Sequence, residues 1–156
     1  MKGIRFTNIK PSKDPEEILA IFNKGFCYFE NKKYQDAINC FNSIIDYSLN
    51  PLTERILYLR GISYAKIFKF EEASKDCVAL NSPEISHPFK YIHLMRGMIA
   101  DQELSYLDSL HSFKRAIKYD SEVIKEEKFL LKHLSQNMIE ILNKANIVLT
   151  QKISNH

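Results

Sequence analysis

Apolar residues along this chain recur in helical steps. Tyr34, Ala37, Ile38, Phe41, Ile44 and Ile45 fall on one face of an α-helix. A second stripe, Leu130, Leu134, Met138, Ile141, Ala145 and Val148, widened by Leu131, Leu142 and Leu149, has the same spacing near the C-terminus. The pattern predicts helices over 15–30, 34–48, 53–68, 70–81, 88–103 and 105–119, then a longer helix over 121–150, and no strand. Boundaries agree with the stripes. Asp14-Pro15-Glu16-Glu17 offers an N-cap, a proline at the first helical position and two carboxylates at the positive helix end. Asn50-Pro51, Ser82-Pro83 and His87-Pro88 interrupt the chain where helix pairs should end.

The glycines add a longer rhythm. Of only four, Gly25, Gly61 and Gly97 stand 36 positions apart. In the same register Tyr28 answers Tyr64, Tyr34 answers Phe70 and Tyr106, Ala37 answers Ala73 and Ser109, and Phe41 answers Cys77 and Phe113. A period of this length marks stacked helix pairs, each burying its apolar face only against its neighbours. Glycine costs about 1 kcal/mol against alanine inside a helix. Its recurrence on the first helix of each pair therefore predicts close approach by the second. The units run over about 15–51, 53–87 and 88–120, between an N-terminal arm at 1–13 and a tail at 151–156.

Composition narrows the function. At 156 residues and 45% hydrophobic, one core suffices. Twenty-two basic against 19 acidic residues, spread along the chain, give a formal charge of +3, too mild and mixed for a dedicated nucleic-acid surface. No apolar run reaches the length of a membrane span, and no signal-peptide apolar region follows Met1. Cys27, Cys40 and Cys77 form no Cys-x-x-Cys pair, which points to a reducing, cytoplasmic setting and to apolar filler in the core. Organelle import is a weaker alternative, suggested by the basic residues before Asp14.

Gly25-x2-Tyr28, Ala37-x3-Phe41 and Pro51, followed by Gly61-x2-Tyr64 and Ala73-x3-Cys77, resemble the tetratricopeptide repeat over about residues 15–120. The third unit departs, with Ala100 at the tyrosine position and Ser109 for alanine. The family's tryptophan position holds Ile21, Leu57 and His93, and the period is two longer than the usual value of about 34. The resemblance implies an all-α, right-handed solenoid of three helical hairpins closed by the long C-terminal helix. It implies a concave groove lined by the first helices. Phe22, Asn23, Phe26, Phe29 and Glu30 would line it from the first unit, Tyr58, Leu59, Ile62 and Lys66 from the second, and Tyr91, Leu94, Met95 and Met98 from the third. Such an apolar lining suits an apolar or amphipathic partner segment. It lacks the lysine and asparagine clamp with which one subclass grips chaperone C-termini.

Lys24, Arg60 and Arg96 recur at one register. They are expected to pair with acidic neighbours such as Asp36, Glu72 and Asp76 rather than to form a basic ladder. The five histidines show no metal-binding spacing, and no catalytic signature or cofactor motif is present. The expected function is a non-enzymatic adaptor or scaffold that binds a partner segment in its groove. One alternative is a constitutive subunit of a large assembly, held through its outer face or terminal helix; another is a small three-repeat chaperone. The terminal helix could cap the third pair, fill the groove or mediate assembly. The short connection from residue 120 favours the cap and an open groove.

Overall fold

The computed structural model describes residues 13–82 and 89–147, which form helices joined by short turns, with no strand among them. Six longer helices come first: α1 (Pro15–Glu30), α2 (Tyr34–Ile44, extended by a 3-10 turn at Ile45–Tyr47), α3 (Leu52–Lys66), α4 (Phe70–Leu80), α5 (Phe89–Gln102) and α6 (Tyr106–Tyr119). Their bounds lie within a few residues of those expected. Asp14 caps α1, its side chain accepting from the Glu16 amide with Pro15 next in line. The arm at 1–13, all but Lys13, the tail at 151–156 and the breaks at Pro83 and Pro88 lie outside the described residues.

The most extensive packing joins α1 to α2, α3 to α4 and α5 to α6. Successive pairs meet through α2 on α3 and, less closely, α4 on α5, while the first helices also touch, α1 on α3 and α3 on α5. Each pair turns on a residue in the left-handed region, Lys32 (φ 61°), Phe68 (φ 64°) and Leu104 (φ 65°), again 36 apart. None is glycine, so each costs about 1–2 kcal/mol of backbone strain. The turn recovers it by satisfying helix-end carbonyls. The Lys33, Lys69 and Ser105 amides donate to Tyr28, Tyr64 and Ala100 carbonyls, each at 2.8 Å.

The glycines do allow close approach, though not uniformly. A Cβ on Gly25 would lie 2.7 Å from the Phe41 ring, and one on Gly97 2.7 Å from the Phe113 ring. At the middle register Cys77 is too short to reach. Met95 from α5 occupies the space instead, its Sδ 3.0 Å from where a Gly61 Cβ would stand. At the first register the atoms nearest the Gly25 position come instead from Phe41 and Cys40, within its own pair.

One expected element is corrected. The single helix over 121–150 is instead α7 (Val123–Glu126), a 3-10 segment at Lys128–His133, an extended Leu134 and α8 (Gln136–Lys144). Ser135 begins α8 afresh, its hydroxyl accepting from the Met138 amide. A straight helix of that span would be roughly 45 Å long and could not follow a concave surface. Broken into pieces, the segment buries Val123, Leu130, Leu134, Met138 and Leu142 in the common core.

Candidate functional site

The first helices α1, α3 and α5 present the face that the sequence marks as a groove, and residues 127–135 lie along it as a strap. Glu127 meets α3, where its Oε1 accepts from Arg55 Nη1 at 2.9 Å and from the Tyr58 hydroxyl at 3.1 Å. Phe129 reaches α1, standing edge-on to Phe26 and Phe29 with ring centroids 5.2 and 6.2 Å away. Lys132 pairs with Glu30 at 2.7 Å. The chain then returns across α3, where Lys66 Nζ donates to the His133 carbonyl at 2.7 Å. It fastens to α5 through the Asp101 carboxylate, which accepts from both the amide and the hydroxyl of Ser135.

Burial sets the protonation states under the strap. The Arg55 guanidinium sits over the rings of Tyr58, Tyr91 and Phe129, with centroid distances of 5.5 to 5.8 Å. Burial and then the Glu127 carboxylate push the Tyr58 phenol well above its ordinary range. His133 shares a 2.7 Å hydrogen bond with the Tyr34 hydroxyl and lies 4.2 Å from the Phe29 ring centroid. Burial, reinforced by Lys66, Lys132 and Lys32, pulls its imidazole down to about 3, so it is neutral at physiological pH. Burial and then Glu30 push the Tyr34 phenol up to about 12.

These contacts correct the expected open groove. Phe29, Tyr58, Leu59, Ile62, Leu94 and Met95 are fully buried and Met98 is 2% exposed. Phe22, Phe26 and Tyr91 are half-buried, and only Asn23 of the predicted lining is exposed. The predicted residues are brought together, but as packing between helices and against the strap, not as a free recognition surface. The physical reason is the apolar stripe from Leu130 onward, which finds the nearest unfilled apolar surface in the groove as well as at the end of the third pair. Sequence reasoning missed the strap's polar anchors. Glu127 and His133 interrupt an otherwise apolar helical stripe, and that interruption was the available signal.

The outer face differs. Arg60 grips Asp76 through two hydrogen bonds, Nε to Oδ2 at 2.9 Å and Nη2 to Oδ1 at 2.6 Å, as expected of a structural arginine. Lys24 lies over the Tyr28 ring at 6.0 Å, and Arg96 is exposed. Cysteine placement is corrected too: Cys77 is buried, Cys40 is half-buried, and Cys27 is exposed because its helical position faces away from α2 and α3. Between α4, α5 and α6 opens a cleft of about 770 Å³ whose lining includes Phe70, Cys77, Val78, Ile99 and Ala100. A second cleft of about 380 Å³ shares Arg96, Asp108 and Ser112 with it and adds His93, His111 and Arg115. Val78 and Leu107 are 69% and 71% exposed, so apolar surface remains on this side.

No helix among the described residues is long and apolar enough to cross a membrane. Among them, no three His, Cys, Asp or Glu side chains cluster in a way that could hold a metal ion. No family model, no curated protein and no solved structure matches this chain.

Proposed function

We propose that this chain is a tetratricopeptide-like solenoid of three helix pairs that serves as a protein-binding subunit, without catalysis, and meets its partner through its outer face. The observation that carries the reading is the strap. With residues 127–135 anchored on α1, α3 and α5, a partner entering the groove would have to displace the Glu127, Lys132 and Ser135 contacts together. The outer face meanwhile keeps an apolar-floored cleft and exposed Val78 and Leu107. The repeated turns at Lys32, Phe68 and Leu104 support the solenoid, since one backbone geometry recurs at the period of the sequence repeat. Three free thiols support a reducing compartment such as the cytoplasm.

The test is crosslinking in native cells followed by mass spectrometry. Partner crosslinks should fall on the outer-face lysines Lys75 and Lys114 and disappear in Val78→Glu. Crosslinks concentrated on Lys128 and Lys132, unaffected by Val78→Glu, would overturn the reading and return the partner to the groove.

A further inference from the structure

The sequence repeat shows what is unusual about the third pair. Thirty-six positions beyond Arg60 stands Arg96, but 36 beyond its partner Asp76 stands Ser112, so the aspartate of the second pair has no equivalent at that register. The same shift puts His93 where the second pair has Leu57, and Arg115 where it has Ala79. All of these residues line the smaller outer cleft, with His93 and Arg96 on α5 facing Asp108, His111, Ser112 and Arg115 on α6. Among the described residues neither arginine has a carboxylate within ion-pair distance, although Asp108 also lines both clefts. Burial raises the pKa of the neighbouring Cys77 thiol, and the Arg96 guanidinium partly offsets that rise.

We propose that this cleft binds the phosphate group of a phosphorylated segment of a partner protein, whose flanking apolar residues lie in the adjoining cleft over Cys77, Val78 and Ala100. The inference rests on the outer-face reading above and names the chemistry of that partner. Two guanidinium groups, two imidazoles and a hydroxyl on facing helices offer donors from both walls. A phosphate, with three terminal oxygens and a charge of about −1.5 to −2, can use both walls at once, whereas a planar carboxylate is satisfied by one arginine. The His93 imidazole, pulled down first by burial and then by Arg96 and Arg115, registers the positive field of both arginines at one point. Continuity with the larger cleft favours a phosphate carried on a peptide over a free anion, since Arg96, Asp108 and Ser112 belong to both.

The test uses the full chain with two immobilised degenerate peptide libraries, one centred on phosphoserine and one on serine, each with apolar flanking positions. The phosphoserine library should be retained, inorganic phosphate should compete, and Arg96→Gln with Arg115→Gln should weaken retention roughly tenfold or more. Both arginines are exposed, and a helical spectrum matching wild type would show that the variant folds. Equal retention of both libraries would overturn the proposal. So would phosphate binding without preference for the phosphopeptide, which would show a free-anion site, or an equal loss in Lys33→Gln with Lys144→Gln, exposed lysines away from this face, which would show unspecific attraction. Tighter retention of single-stranded RNA that depends on the same arginines would also overturn it. If native partner crosslinks vanish in Val78→Glu yet survive the double arginine variant, the outer-face reading stands and the phosphate inference fails. If crosslinks fall on Lys128 and Lys132, the outer-face reading fails and the library result judges the cleft alone.

Discussion

Arg55 Nη1 donates to Glu127 Oε1 at 2.9 Å across 72 residues of sequence, fastening the strap to the middle of the first-helix face. The Tyr58 hydroxyl donates to the same oxygen. Glu127→Ala would leave a fully buried phenol and a three-quarters-buried guanidinium without their acceptor. Because Arg55 keeps some contact with water, the expected cost is about 1–3 kcal/mol, below that of a fully buried pair. Urea denaturation of wild type and variant would measure it. An unchanged midpoint would mean that the strap is not held by this contact.

Phe26 bears on the same element from α1. Phe26→Glu places a carboxylate against Phe129 and Phe29, and should lower stability by roughly 1–3 kcal/mol while raising binding of an apolar dye as the strap loosens. With an open groove the same change would leave melting nearly untouched, so the melting temperature separates the two cases.

The three repeat glycines should respond unequally to alanine. At Gly25 and Gly97 the new methyl group would meet the ring of a buried phenylalanine, which cannot withdraw, whereas at Gly61 its tightest contact, 3.0 Å, is with the flexible end of Met95, and the Asp76 Cβ stands at 3.2 Å. Gly25→Ala and Gly97→Ala are expected to cost about 1–3 kcal/mol through overpacking, and Gly61→Ala less. Gly61→Leu, which the Met95 side chain cannot accommodate, should fall back into the higher range. The ranking of thermal midpoints checks this.

His133 makes stability depend on pH in a definite direction. In the unfolded chain its imidazole takes up a proton near its ordinary value of 6.5, while in the folded chain it resists until about 3. Between those values the unfolded state binds more protons. The stabilisation is thus fully present above about pH 6.5 and is lost as pH falls toward 3, with a limiting slope of about 1.4 kcal/mol per pH unit. Burial and two arginines pull His93 in the same direction. Urea midpoints taken from about pH 7 down to about pH 5, above most carboxylate titration, should fall for wild type. The fall should be shallower for His133→Gln. Parallel profiles would remove His133 from the account.

Circular dichroism should show helix without sheet and one cooperative transition, because the strap ties all three pairs into a single core. Two separated transitions would argue against that coupling.

Local patterns along the chain determined the helices, their pairing and the repeat. The spacing from Tyr34 to Ile45, the cap at Asp14-Pro15 and the glycines at 25, 61 and 97 each depend on neighbours within a few turns, and such neighbours are visible in a linear sequence. The turns at Lys32, Phe68 and Leu104 were less legible, because the left-handed residue is not glycine and only backbone hydrogen bonding reveals it. Tertiary structure alone decided the fate of the groove. Its lining residues were recognisable as apolar, but an apolar face has the same spacing whether a partner, a cap or the chain's own segment covers it. The choice fell to contacts between residues far apart, Arg55 with Glu127, Tyr34 with His133 and Asp101 with Ser135, which helical periodicity cannot register. The outer cleft lies between these cases. The exchange of Asp76 for Ser112 is written in the sequence, but its consequence for Arg96 and Arg115 emerges only when α5 and α6 bring His93 and His111 to the same cleft.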